Sequence, residues 1–512
     1  MTTLSQDVGG GYSILDIVER QSRRLGASPY VMAANGVDAV SYEDLAELVA
    51  RWGRRVDVEH VRPGDRVGVV IADPLHFTVG FVTALCAGVW IAPLDPYVAG
   101  ADVEQLNRQV GRLELAYVLS DYPHPLGVDV TWIDLTQPVL SESLEGRGFG
   151  HANGGVVLSS SGTTGAPKVM SLSTEQLLLV ATSVARHNAL DEHERGLNTL
   201  PLWHINAEVV GLLATLVAGA SLVLDDRFHR TGFWSMVDRM KVTWINAVPA
   251  IIARLASLEE GETISPLVRF VRSASAPLSA TVLDRFERAT SLPVIESYGM
   301  TEAASQICVN PLEGPRKAGS VGRPVGVDVR VTRVDDGAVA LVNEVGEVEI
   351  KGDSVIRRYD ALGYEDRFNA DGWLRTMDLG YFDEDGFLFL VGRSDDVINR
   401  GGEKIFPREI EEMVLAFDTV VSAALVGVTD EVYGQVPVLF VQLRPDIMTS
   451  SPNDLDVGVK AIRDTLVATV ARTRRPSHIN VVDAMPSNAT GKIRRKDLET
   501  GLVSVVFREP VL

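Results

Sequence analysis

Residues 159–170 read SSSGTTGAPKVM, and the kind of loop they form decides the fold. Ser159, Ser160 and Ser161, Gly162, Thr163 and Thr164, Gly165 and then Lys168 set small donors, pliant backbone and one cation close together, a combination suited to a polyanion. A Walker loop carries glycine directly before its lysine and Ser or Thr directly after. Here Pro167 and Val169 hold those places. The alternative is a plain polar turn between the strand ending Val156-Val157-Leu158 and a helix over Thr174–Ala185.

The chain of 512 residues exceeds what one core supports, so at least two packed units are expected. Its 48 basic and 68 acidic side chains leave a net charge of −20. That balance argues against nucleic acid or an anionic membrane as partner, so any anionic substrate must meet a local cationic cluster. Cys86 and Cys308 are the only cysteines and fit a reducing compartment. No CxxC and no His-Glu-x-x-His occurs, so a zinc site lacks support, and nucleotide-bound Mg²⁺ is the metal expected. The N-terminal residues show no signal-peptide pattern, and the cytoplasm is the expected location. Residues 77–94 and 209–224 are apolar but are broken by Gly88, Pro93 and Gly219, so each reads as a buried helix and strand and not as a membrane span.

Outward from the loop, helical stretches alternate with short apolar strands. Ser41-Tyr42-Glu43-Asp44 reads as a capping box opening a helix with Leu45, Leu48, Val49 and Trp52 on one face. Strands follow at 66–71, 242–248 and 268–271. This alternation predicts layered α/β architecture with largely parallel sheets. From about Gly319 the texture changes to short β segments at 327–334, 339–342, 347–351 and 387–391, joined by Asp-Gly turns, and a small β-barrel is expected. After Arg393 a mixed α/β pattern returns: a helix at 407–417, strands at 423–428 and 436–443, a helix at 456–472 and a strand at 479–482. Residues 393–402 read as the linker.

Four more stretches accompany the loop: SYGMTEA (297–303), GWLRTMDLG (372–380), GRSDDVINRGGEKIFPREIE (392–411) and PSNATGKIRRKDL (486–498). Their order together with SSSGTTGAPK resembles the adenylate-forming superfamily, in particular its AMP-dependent acid:CoA ligases, over roughly residues 40–498. The resemblance implies an α/β fold with a large N-terminal domain, residues 1–393, made of two layered α/β subdomains plus a small β-barrel over about 319–393. A small mobile α/β C-terminal domain, 394–512, would follow and rotate about a hinge at Asp395. It also implies ATP, Mg²⁺ and CoA, a small-molecule carboxylic acid as substrate, of a length and polarity the sequence does not give, an acyl adenylate as intermediate and pyrophosphate as product. Transfer of the adenylate to an amine, or to a carrier-protein thiol, is the alternative.

By the same resemblance, Ser160, Ser161, Gly162, Thr163, Thr164, Gly165 and Lys168 hold the β- and γ-phosphates. Ser297, Tyr298, Gly299 and Met300 bind the nucleotide, with Tyr298 lying flat on the adenine and Gly299 giving it room. Thr301 donates to a phosphate oxygen, and Glu302 binds Mg²⁺, a hard cation that prefers oxygen ligands. Asp378 offers two acceptor oxygens to the two ribose hydroxyls, and Arg393 donates to the same sugar; a surface ion pair is the other reading of the two. Lys492, after Thr490-Gly491, matches the mobile catalytic lysine that bridges carboxylate and α-phosphate. Arg494, Arg495 and Lys496 around it read as solvated surface. Gly401 and Gly402 line the thiol tunnel. On the acyl side stand Trp203, His204, Asn206, Arg272 and Ser273, with His204 flanking the carboxylate. Arg272 reads equally as a ligand for a second carboxylate and as a solvent-facing side chain at a strand edge. Val169, Met377 and Asn399 depart from the usual glycine, glycine and lysine, and Asn206 replaces a second histidine found in some oxalate and malonate ligases. The sequence carries no signal for oligomeric state.

Overall fold

A computed structural model describes residues 13–97, 102–121, 130–135, 154–160, 168–448, 452–488 and 491–511. Four sheets organise them. The first runs in the spatial order 131–134, 117–120, 66–70, 90–93, 155–160, 168–173, parallel except for its last strand. The second has nine strands, with 294–298, 270–273, 244–247, 195–198, 221–224 and 29–33 parallel at its centre. Buried parallel strands explain the near-continuous Val/Ile/Leu runs, because helices cover both faces.

The helix Tyr42–Val58 opens on the expected capping box. Ser41 Oγ accepts from the Asp44 amide at 3.0 Å while Asp44 Oδ2 accepts from the Ser41 amide at 3.0 Å. Such a cap is worth about 1 kcal/mol. Leu45, Val49 and Trp52 are buried beneath it, and Leu48 is packed against the core edge. The apolar 77–94 stretch divides as expected into the helix Pro74–Cys86 and the strand Trp90–Pro93, with Gly88 between them at φ 68°. Gly219, at φ 77°, ends the second stretch's helix. Among the described residues no helix is long and apolar enough to cross a membrane.

The β-rich segment is a four-stranded antiparallel sheet, Asp328–Thr332, Gly346–Lys351, Leu374–Phe382 and Leu388–Arg393, with a bridge from Phe389 back to Ser320. Residues 339–342 are not a strand. Val339 makes one bridge to Thr332 and its side chain, like that of Leu341, stays exposed, so no sheet partner stabilises an extended run there. The strand Leu374–Phe382, read in the sequence only as a motif, is the longest of this sheet. The expected linker holds the strand Ile398–Arg400.

The residues after 397 build the fourth sheet, in which 434–443 pairs with 420–430, 398–400 and 478–482, and the final strand Val505–Pro510 pairs with 478–482. Its apolar residues form clusters of their own, Ile398 to Val511 on one face and Ala424 to Leu498 on the other, that share no buried residue with the main core.

Candidate active site

Ser160 pairs directly with Lys168 across antiparallel strands. The loop between them therefore joins two strands of a hairpin. This corrects the plain-turn reading, in which the strand would pass straight to a helix, and it separates the loop from a Walker loop, whose lysine opens a helix. Ser161, Gly162, Thr163, Thr164 and Gly165 lie outside the described residues, as does Thr490. Val169 is buried among Val70, Val157 and Leu94, which accounts for a branched residue in place of glycine.

Lys168 begins the second hairpin strand and turns into a box of aromatic and acidic groups. Its Nζ lies 4.0 Å from Glu302 Oε1 and 5.5 and 5.6 Å from the ring centres of Tyr359 and Tyr364. Burial and then the nearby Arg367 guanidinium lower its pKa, with Glu302 opposing them. Tyr359 donates to Glu302 Oε1 at 2.8 Å, which fixes the carboxylate's rotamer. Glu302 is buried, and its carboxylate beside a partly exposed cation has the oxygen chemistry that Mg²⁺ requires.

The strand Val294–Tyr298 delivers the next group. After Tyr298 the chain folds so tightly that a Cβ on Gly299 would lie 1.4 Å from the Ser305 carbonyl oxygen, so only glycine fits. This turn presents Met300 and Thr301, half-buried, at the front of the sheet, while Ser297 donates to the Ser273 carbonyl at 3.1 Å. Tyr298 itself is largely buried and its hydroxyl donates to Asp378 Oδ2. The residues expected at the base and at the ribose are thereby bonded to each other.

Asp378 sits on the long strand 374–382, directly after Met377. Met377 adopts φ 67°, the left-handed conformation that glycine takes most readily, which is why its position is normally glycine. Arg393 donates from Nη1 to Asp378 Oδ1 at 3.2 Å and from Nε and Nη2 to Asp395 at 2.9 and 3.1 Å. Burial raises the Asp378 pKa, and Arg393 opposes that rise. The pair is half-sheltered, not a free surface ion pair.

Lys492 comes from the tail. Its amide donates to Asn488 Oδ1 at 2.9 Å, and at the preceding Gly491 a Cβ would lie 3.6 Å from Ala250 Cβ, so this loop is seated against the helix Pro249–Leu255 of the main body. Burial raises the pKa values of Asp378 and Asp396, and the Lys492 ammonium is near enough to oppose that rise. Arg495 is not solvated surface. It donates to both oxygens of Glu411 at 2.7 and 3.0 Å and lies 3.4 Å from Asp396, bracing the Lys492 loop. Gly401 and Gly402 occupy an exposed hairpin turn at φ 58° and 95°, where their contacts are with Tyr433 and Asn399 of the tail itself. Asn399 Oδ1 accepts from the Gly402 amide at 3.0 Å, a turn-closing bond that a lysine could not make.

On the acyl side Trp203 and His204 stand half-buried, their ring centres 6.4 Å apart. Burial pushes the His204 imidazole down to about 4, so it is neutral near pH 7. Asn206 opens the helical run 207–213, accepting from Asn246 at 2.8 Å and donating to Ser305 Oγ at 3.2 Å. Ser273 and Arg272 are fully buried, which removes the solvent-facing reading of Arg272.

Tyr359, Tyr364, Gln306, Asn198 and Asn246 were not singled out from sequence. The two tyrosines sit in RRYDALGYEDRF, which has no readable period, whereas an asparagine inside the apolar run Trp244–Ala247 was a usable cue, since buried amides are retained only where they are bonded.

This assembly defines an adenylate-forming enzyme. Residues 155–360 match the AMP-binding enzyme family and 409–492 the AMP-binding enzyme C-terminal domain. The chain is 31% identical over 498 residues, 91% of its own length and 94% of the relative's, to an oxalate–CoA ligase of Arabidopsis thaliana. It is 39% identical over 346 residues, 67% of this chain and 66% of the relative, to a sulfoacetate–CoA ligase of Cupriavidus necator. Among solved structures, an o-succinylbenzoate CoA synthetase from Bacillus subtilis in complex with AMP superposes with a TM-score of 0.81 at 26% identity, covering 94% of this chain and 98% of that one. The chain belongs to the AMP-binding enzyme family.

Proposed function

We propose that this enzyme is an AMP-forming acid–CoA ligase working on a small polar acid. A carboxylate oxygen attacks the α-phosphorus of ATP and the bond to the β-phosphate oxygen breaks, giving acyl adenylate and pyrophosphate. The thiol of CoA then takes the acyl group and AMP leaves. Both first reactants are anions, so the site must concentrate positive charge. The observation that carries the reading is the Lys492 loop of the tail seated against the main body, its ammonium near enough to act on Asp378, which pairs with Arg393.

Lys168, with Thr163 and Thr164, would grip the leaving pyrophosphate, and Glu302, held by Tyr359, would bind Mg²⁺, which screens phosphate charge when present. Tyr298 would face adenine while Asp378 and Arg393 hold the ribose. Neutral His204 and Thr301 would flank the carboxylate and α-phosphate, and Lys492 would stabilise the charge that develops between them. We read the chain after Arg393 as a domain turning about Asp395, which withdraws Lys492 and brings Gly401 and Gly402 to the thiol path. We read the reaction as cytoplasmic, which the use of ATP and CoA supports. The acids of these relatives, oxalate, sulfoacetate and succinylbenzoate, are each doubly acidic, which supports a small polar acid.

The test is acid-dependent pyrophosphate release followed by acceptor addition. CoA thioester formation is the expected result. Release that continues to product only with an amine or a carrier protein would replace CoA as acceptor. No release with any acid would overturn the reading.

A further inference from the structure

Resting on the acid-activating reading above, we propose that the acid carries a second anionic group and that Arg272 receives it. Asn198, Asn246 and Arg272 occupy paired positions on three neighbouring parallel strands, so their side chains stand in a row on one face of the sheet. The centre of a parallel sheet is ordinarily aliphatic. Here the row lies at the carboxyl ends of its strands, where ligands of open α/β sheets bind.

The amide nitrogens of the asparagines are satisfied within the protein, while Asn246 Oδ1 has no partner among the described residues. Asn246 donates to Asn198 at 3.0 Å and to Asn206 at 2.8 Å. The guanidinium of Arg272 is not satisfied. Its Nη2 donates to Gln306 Oε1 at 2.7 Å, while Nε and Nη1, buried like the rest of the residue, have no partner. Among the described residues no carboxylate pairs with it, and its ionisable neighbour His187 is held neutral by burial, with a backbone bond to Asn310 opposing. Burial lowers Arg272 only to about 10, so the cation persists at neutral pH. A sealed, uncompensated guanidinium is costly unless an anion joins it, and its unspent N–H groups suit a carboxylate or a sulfonate. Gln306, whose Nε2 donates to Ser183 Oγ at 3.4 Å, fixes the guanidinium so that these donors stay oriented. The row is enclosed in this arrangement, so the acid reaches it by parting the side chains above. A monoacid with an alkyl tail would leave the charge uncompensated.

The test compares acids of matched size, succinate and 3-sulfopropionate against butyrate, by pyrophosphate release, in the full-length enzyme and in Arg272→Met and Gln306→Leu, with ATP binding measured by calorimetry as a check on folding. The wild type should prefer the dianions by about 100-fold or more in kcat/KM. Arg272→Met should lose about that factor with the dianions, mainly through KM, and keep or improve butyrate turnover. Gln306→Leu, which retains the cation, should weaken the preference less. The relative rates of the two dianions decide whether carboxylate or sulfonate fits better. Equal use of butyrate and succinate by the wild type, or a parallel loss of all acids in both variants with ATP binding intact, overturns the assignment of Arg272 alone. No pyrophosphate release with any acid overturns the ligase reading and this one with it.

Discussion

Arg393 grips Asp395 side-on, Nε to Oδ1 at 2.9 Å and Nη2 to Oδ2 at 3.1 Å, while its remaining arm reaches Asp378 at 3.2 Å. One guanidinium thus ties Asp378 to the first residues of the tail. A rotation of the tail about Asp395 must break or redirect the paired bonds, so this side chain holds the present arrangement. Asp395→Pro both removes the carboxylate and restricts the backbone on either side. Thioester formation should slow by at least about tenfold while pyrophosphate release changes less. Rapid-quench measurement of the two steps checks this, and an unchanged second step would count against a rotating tail.

The role proposed for Lys492 confines it to the first step. Lys492→Ala should lower pyrophosphate release by about 10²–10³-fold, the usual effect of removing a charge-stabilising donor. Thioester formation from supplied acyl adenylate should persist. A variant that adenylates at the wild-type rate would remove the lysine from the reaction.

Met377 offers a test of backbone strain. It stands at φ 67° beside Asp378, a conformation costing a side-chain-bearing residue about 1 kcal/mol. Met377→Gly should be neutral to stabilising by up to about 1 kcal/mol in urea unfolding, and Met377→Val destabilising. A clear loss of stability in the glycine variant would show that the methionine side chain, whose sulfur is 3.8 Å from Ser394 Oγ, matters more than its dihedral.

Glu296 gives a pH dependence with a definite sign. Burial raises its pKa to about 7, with Arg408 of the tail opposing. Between the ordinary carboxylate range and pH 7 the folded chain holds a proton that the unfolded chain has released, so stability falls as pH rises through that window. The loss is on the order of 3 kcal/mol. Glu296→Gln should flatten this slope in denaturant titrations from pH 5 to 8. Because Arg408 also donates to the Leu390 carbonyl at 2.8 Å, the same titration reports on the seat of the tail against the body.

Local sequence determined the elements whose signals are short-range. Ser41 and Asp44 fixed one helix start because a capping box closes over four residues, and Gly88 and Gly219 ended two apolar runs because their dihedrals exclude most side chains. The motifs around Lys168, Glu302, Asp378, Arg393 and Lys492 were legible too, since each couples residue type to tight spacing. The exposed 339–342 segment was misread because apolar alternation does not reveal whether a sheet partner exists. Tertiary structure alone decided that the SSSGTTGAPK loop closes a hairpin, that Tyr298 bonds to Asp378, and that Arg495 braces the tail instead of solvating it. It also decided Arg272. In sequence that arginine was equally a strand-edge surface residue, and only pairing with Asn246 across a buried sheet takes its charge out of solvent with, among the described residues, no carboxylate beside it. These contacts join residues far apart in the chain, and their geometry is set by strand order and register, which no local pattern encodes.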